Sequence, residues 1–193
     1  MKTNIILAGV GGQGILSIAA VLDMAALACN LNIKQSEVHG MSQRGGAVQS
    51  HVRISNKEIY SDLIPQGKAD LIIAVEPMEA LRYLPYLKKG GYLITDSNPF
   101  INIRNYPELE KVYETINGLP NSLLVDAKKT AKDLGNSKAT NIVLLGAVTS
   151  LLPIPEHRIK EAIQSLFARK GERVVKKNLE AFEKGKEIAA ELV

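Results

Sequence analysis

Hydrophobic and polar positions follow two different rhythms along this chain. Ile5 to Ala8, Asp70 to Val75, Tyr92 to Asp96 and Ser122 to Asp126 are short runs, apolar almost throughout, that suit parallel strands covered on both faces. Between and after them, apolar residues recur at helical spacing. Gly14 to Leu31 carries Ile15, Leu16, Ile18, Ala19, Leu22, Ala25 and Ala26 with almost no charge, which predicts a helix buried on most sides. Glu76-Pro77 opens a helix through Met78, Leu81, Leu84 and Leu87 that Gly90 and Gly91 stop. Further helices are expected over Pro107–Ile116, Ala127–Leu134 (ended by Gly135), Ala139–Leu152, Glu156–Arg169 and Glu172–Leu192. Strands alternating with helices predict an α/β fold: a Rossmann-like open, mainly parallel sheet flanked by helices, with C-terminal helices lying against it. No repeat or linker divides the chain, so residues 1–193 read as one domain.

Two glycine-bearing stretches interrupt this rhythm. After the first strand, Gly9, Gly11 and Gly14 fit G-x-G-x-x-G, with Gly12 and Gln13 between them. Such a turn leaves free N–H groups at a helix N-terminus, where an anion is favoured. A dinucleotide fold then needs an apolar second strand ending in an acid roughly twenty residues on. The corresponding piece, Asn32 to Glu37, is mostly polar, so the ribose half of the pattern is poor. The second stretch runs from Glu37 to Ile54, EVHGMSQRGGAVQSHVRI. Ser42, Gln43 and Arg44 ahead of the Gly45-Gly46 pair read either as a phosphate or carboxylate cradle or as a surface loop with a solvated Arg. Beyond it Val48, Val52 and Ile54 alternate with Gln49, His51 and Arg53, and Glu58 to Ser61 is expected to return as the other strand of a β-hairpin insertion. Glu76 and Asp96 stand at carboxyl ends of strands, where open α/β sheets place ligands, and each reads equally as a helix cap or turn former.

Composition narrows the chemistry. With 24 basic and 20 acidic residues the net charge is +4, and aromatics make up only 5% without Trp, so no basic and aromatic platform for nucleic acid is present. No apolar run approaches the ~20 residues of a membrane helix, and the N-terminal run is cut by glycines without a cleavage site, so a cytoplasmic location without membrane contact is expected. Cys29 is the one cysteine, and a lone thiol holds neither an iron–sulfur cluster nor a structural zinc; it reads as a small buried apolar residue. His39, His51 and His157 are the only histidines. Glu37, His39 and His51 meet only through the hairpin and lack standard metal-ligand spacing, and Ser42 beside His39 forms no nucleophile elbow. No catalytic residue and no metal site are expected in this chain.

GVGGQGIL at Gly9–Leu16 taken together with EVHGMSQRGGAVQSHVRI resembles the gamma domain of the 2-oxoacid:ferredoxin oxidoreductases, in its indolepyruvate-acting branch. Glu76-Pro77, Thr95-Asp96 and Thr140-Asn141 fit the same pattern. The resemblance implies a subunit of an enzyme that decarboxylates a 2-oxo acid, here an aryl pyruvate such as indolepyruvate. Coenzyme A accepts the acyl group and ferredoxin takes the electrons. It also implies that thiamine diphosphate and the iron–sulfur clusters reside on a large alpha subunit, with no cofactor bound by this chain alone. Gly9, Gly11, Gly12, Gln13, Gly14, Ser42, Gln43, Arg44, Gly45 and Gly46 are then one wall of a shared site that contacts coenzyme A. A free-standing dinucleotide-binding protein or NAD-dependent dehydrogenase, and a purely structural subunit, stay open as alternatives, and leftover apolar helices allow a homodimer of the isolated chain.

Overall fold

The computed structural model describes residues 1–40, 45–101 and 103–190. Its centre is a six-stranded sheet formed by β1 (Lys2–Val10), β2 (Asn32–His39), β3 (Ala47–Ser55), β4 (Ala69–Ala74), β5 (Leu87–Asp96) and β6 (Ser122–Val125), in the order β2-β3-β1-β4-β5-β6. β1, β4, β5 and β6 pair in parallel, while β3 runs antiparallel to both β1 and β2. Ile5, Ile6, Leu7 and Ala8 have no exposed surface because β1 lies between two layers. Ile5 and Leu7 face the larger core with Ile73 and Ile94, under α1 (Ile15–Leu27), α5 (Thr140–Ala147), α6 (Glu156–Phe167) and α7 (Glu172–Ala190). Ile6 and Ala8 face the smaller one with Ile72 and Leu93, under α2 (Pro77–Arg82) and α3 (Leu109–Asn117). α4 (Ala127–Asp133) follows β6, capped by Asp126 Oδ1 accepting from Lys129 N. The expected α/β class and mainly parallel sheet are therefore observed.

Three expectations are corrected. The segment Glu58–Ser61 forms no strand; the partner of β3 in the hairpin is β2. Arg53, 7% exposed, explains this: its Nη1 donates to the carbonyls of Ser61 (2.7 Å) and Leu63 (2.9 Å), and its Nε to Asn4 Oδ1 (3.1 Å). A guanidinium thus takes carbonyls that a ladder would need. Gly90 and Gly91 stop no helix, since α2 ends at Arg82 and the glycines lie inside β5, beside a register shift against β4. Finally, α5 ends at Ala147 and gives way to a 3-10 turn over Thr149–Leu151, so the apolar run to Leu152 is not one α-helix. Cys29 lies in the turn after α1, half-buried against the larger core. Glu191, Leu192 and Val193 lie outside the described residues, and no helix of those described is long and apolar enough to cross a membrane.

His51 gives the fold a pH dependence. Its ring is buried, its Nδ1 accepts from Ile64 N at 2.9 Å, and it meets Tyr86 edge-on at 5.4 Å. Burial holds its pKa below the ordinary value of 6.5, with Asp62 opposing and Arg53 reinforcing the shift. The unfolded chain takes up a proton that the folded state resists, so this contribution is complete above the unfolded pKa and is lost as pH falls below it. Urea unfolding at about pH 7.5 and about pH 5.5 is expected to show a smaller stability difference in His51→Asn, which keeps an acceptor but does not titrate, than in the parent chain.

Candidate functional site

At the carboxyl end of β1 the chain turns through Gly11–Gly14 into α1. Gln13 folds back so that its Oε1 accepts from Val10 N at 2.7 Å, and Gln13 N donates to Val10 O at 3.1 Å. Gly14 is the N-cap of α1 with φ +83°, a left-handed conformation costly for residues with a Cβ. Its carbonyl accepts from Asn141 Nδ2 at 2.9 Å, which ties the turn to the start of α5. No side chain caps α1 and no acid occupies its first turn, so its first N–H groups and the positive end of its dipole face outward.

These groups open on a cleft of about 830 Å³, within the usual size range of small-molecule sites. It lies where the carboxyl ends of the parallel strands place ligands in open α/β sheets. Gly12, Gln13, Gly14 and Ser17 form one side and Lys128, Lys138 and Lys170 another. Surface lysines such as Lys129, Lys160, Lys177 and Lys186 are held in ion pairs. Among the described residues, the three cleft lysines have no ion-pair partner, although Lys170 Nζ lies 5.2 Å from the Phe167 ring centre. Helix terminus and lysines together give the cleft the electrostatics that suit an anion of several charges.

One carboxylate, Asp96, lines the cleft, and it is committed elsewhere. Its Oδ1 accepts from Ala127 N and from Asn98 Nδ2, both at 3.1 Å, while burial pushes its pKa up. Asn98 Nδ2 also reaches Asp126 Oδ1 at 2.8 Å. Glu76, 1% exposed, caps α2 by accepting from Glu79 N at 2.7 Å through Oε2. Its Oε1 takes Phe100 N at 3.3 Å and the Tyr106 hydroxyl, and burial together with that carboxylate raises the tyrosine pKa. Both acids are thus braces at strand ends: Glu76 caps a helix as one of its readings held, and Asp96 fastens β5 to α4 while bordering the cleft.

The structure joins the two glycine stretches. Gly11 N donates to Gly46 O at 2.8 Å and Gly45 N to Gly11 O at 3.4 Å, so the tip of the β2–β3 hairpin leans on the first turn. Gly12, Gln13 and Gly14 line the cleft, Gly9 supports the turn from within β1, and Gly11, Gly45 and Gly46 brace it. Ser42, Gln43 and Arg44 lie outside the described residues. The dinucleotide reading loses its geometry, because β3 separates β1 from β2. Glu37 therefore stands two strand spacings away, roughly 10 Å, paired with His39 Nε2 at 2.5 Å. The described residues contain no group of three or more His, Cys, Asp or Glu placed to hold a metal. Sequence reasoning missed Lys128, Lys138 and Lys170, which come from the first turn of α4, the turn before α5 and the 3-10 turn after α6 and share no motif.

Three likenesses to known proteins follow the same outline. The chain is 41% identical to the indolepyruvate oxidoreductase subunit IorB of Pyrococcus horikoshii, over 98% of this chain and 97% of that protein. The keto/oxoacid ferredoxin oxidoreductase gamma subunit of Geobacter sulfurreducens superposes with a TM-score of 0.71 at 28% identity, over 98% of this chain and 99% of that one. The 2-oxoglutarate:ferredoxin oxidoreductase of Magnetococcus marinus, solved with 2-oxoglutarate, coenzyme A and succinyl-CoA bound, gives a TM-score of 0.79 at 26% identity. That match covers all of this chain but 32% of the Magnetococcus chain. The pyruvate ferredoxin/flavodoxin oxidoreductase pattern matches residues 4–188. With the pattern spanning nearly the whole chain and a near full-length relative, the glycine turn, its hairpin brace and the cationic cleft are features of a member of the pyruvate ferredoxin/flavodoxin oxidoreductase family, to which this chain belongs.

Proposed function

We propose that this chain is the small subunit of a thiamine- and ferredoxin-dependent oxidoreductase that converts indolepyruvate or a related aryl pyruvate, with coenzyme A, to the acyl-CoA and carbon dioxide. Two electrons pass to ferredoxin. The observation that carries the assignment of the cleft is the convergence of the uncapped α1 terminus with three lysines that have no ion-pair partner among the described residues, which suits a ligand bearing a diphosphate and a sugar phosphate. Coenzyme A has those groups, and it is bound in the Magnetococcus relative. A single cysteine does not fit an iron–sulfur cluster here. The clusters, and the thiamine diphosphate that supplies the decarboxylation chemistry, are therefore assigned to a large partner subunit. The work of this chain is binding and orientation: the α1 N–H groups and lysines hold phosphates, and Asn141 fixes the turn that presents those N–H groups. Arg44, ahead of Gly45, is assigned to the same anion.

The test is steady-state kinetics on the reconstituted complex. Lys138→Ala with Lys170→Ala is expected to raise KM for coenzyme A about tenfold, equivalent to about 1.4 kcal/mol, and to leave KM for the 2-oxo acid unchanged; Arg44→Ala moves the same constant in the same direction. Unchanged KM for coenzyme A in the double variant overturns the cleft assignment. Calorimetric titration of the isolated chain with NAD, NADP and FAD is expected to show no binding, and binding there would restore the dinucleotide reading.

A further inference from the structure

The connection from β5 to α3 holds large apolar side chains in solvent. Phe100 is 43% exposed, Ile101 71% and Ile103 45%, next to the cleft that Pro99 and Phe100 line. The connection is anchored on both sides of these residues, at Ser97–Phe100 and at Tyr106. Tyr113 Oη donates to Ser97 O, Asn98 is held between Asp96 and Asp126, and buried Glu76 takes both Phe100 N and the Tyr106 hydroxyl. Between anchors on the α2 cap, β5, α3 and the α4 cap, the side chains of Phe100, Ile101 and Ile103 are exposed to solvent. Arg104, exposed at the same surface, has no ion-pair partner among the described residues. An apolar patch with an unpaired arginine at its edge has the composition of a protein interface.

We infer that this anchored strap is the seat of the larger subunit, which covers Ile101 and Ile103 with an apolar groove, places a carboxylate against Arg104, and thereby closes the cleft. The inference rests on the assignment of this chain as a small subunit with coenzyme A in its cleft. Two observations select that occupant. The strap is continuous with the cleft, so whatever covers it meets the bound ligand. In addition, the same fold occupies only about a third of the Magnetococcus chain, so there the remaining polypeptide is covalently attached to it. In this protein the covering role is given to the larger subunit.

The experiment co-expresses the chain with the large subunit from its source organism and measures the dissociation constant of the purified pair. Ile101→Glu combined with Ile103→Glu is expected to weaken assembly at least tenfold while leaving the thermal unfolding of the isolated chain in place, because neither side chain is buried. Tyr60→Glu, at a residue 86% exposed on the far side of the sheet end, serves as control and is expected to assemble like the parent. Arg104→Glu is expected to weaken assembly to a lesser degree. Parent-like affinity of the Ile101/Ile103 variant overturns the strap while leaving the subunit assignment standing. Loss of self-association with large-subunit binding intact likewise overturns it, in favour of a second copy of this chain. If the parent chain forms no complex at all, the subunit assignment falls and the strap with it.

Discussion

Gly185→Ala is expected to destabilise the protein by about 3 kcal/mol or more, the upper range for overpacking of a rigid contact. At this chain length that corresponds to roughly 6–12 °C in the melting temperature. The sign is the informative part. Gly185 is internal to α7, where helix propensity alone favours alanine by about 1 kcal/mol. Against this, α7 lies on α5 backbone to backbone. A Cβ at Gly185 would overlap the carbonyl of Val143, and one at Gly146 the carbonyl of Phe182. Neither carbonyl can rotate away without breaking its helix, so the helices must separate. Phe182, with no exposed surface, and Ala181 would leave the larger core as α7 moves. Val174 and Asn178 of α7 line the cleft, so ligand binding should weaken along with stability. Gly146→Ala is expected to act in the same direction, and the double variant should cost less than the sum because both substitutions force apart one contact. Thermal unfolding followed by circular dichroism checks all three; a rise in melting temperature for Gly185→Ala would show that propensity outweighs the crossing.

The sheet was legible because its strands are buried on both faces, and a strand with no polar side must be nearly continuous in apolar residues. Ile5–Ala8 and Leu71–Ala74 carry that signature unmistakably. β2 could not be read the same way. At the sheet edge it needs only a partial apolar face, and its Asn, Lys, Gln, Ser and Glu resemble a loop. The error over Glu58–Ser61 has a different origin. A turn at Asn56-Lys57 suggested a returning strand, but the buried guanidinium of Arg53 takes the carbonyls of Ser61 and Leu63. Long-range satisfaction of polar groups leaves no local trace in a sequence. The same holds for the site. The glycine turn is local and was visible, whereas the lysines that give it charge converge from α4, from the turn before α5 and from the 3-10 turn after α6. Thr140-Asn141 could be singled out only through family resemblance, and the bond from Asn141 to Gly14, 127 residues away, supplies its physical reason.

That bond leads to the second large effect. Gly14→Ala is expected to raise KM for coenzyme A roughly thirtyfold, about 2 kcal/mol, with little change in KM for the 2-oxo acid. Two costs combine. A left-handed residue with a Cβ loses about 1–2 kcal/mol, and Gly14 has φ +83° at the head of α1. The new Cβ would also sit 2.7 Å from Asn141 Nδ2, pushing away the amide that holds the Gly14 carbonyl. The turn then relaxes toward ordinary backbone, and the N–H groups of the first helical turn no longer point together into the cleft. Asn141→Ala separates the two costs. Alone it removes the bond to Gly14 O and is expected to raise the same constant about tenfold, since one donor holding a backbone carbonyl is worth about 1 kcal/mol and the rest is lost alignment. In that background the space beside Gly14 is open, so adding Gly14→Ala should cost only the conformational part, and the combined effect falls short of the product of the single ones. Strict multiplication would mean that Asn141 and Gly14 act on the ligand independently, and that the turn is held by something other than this amide.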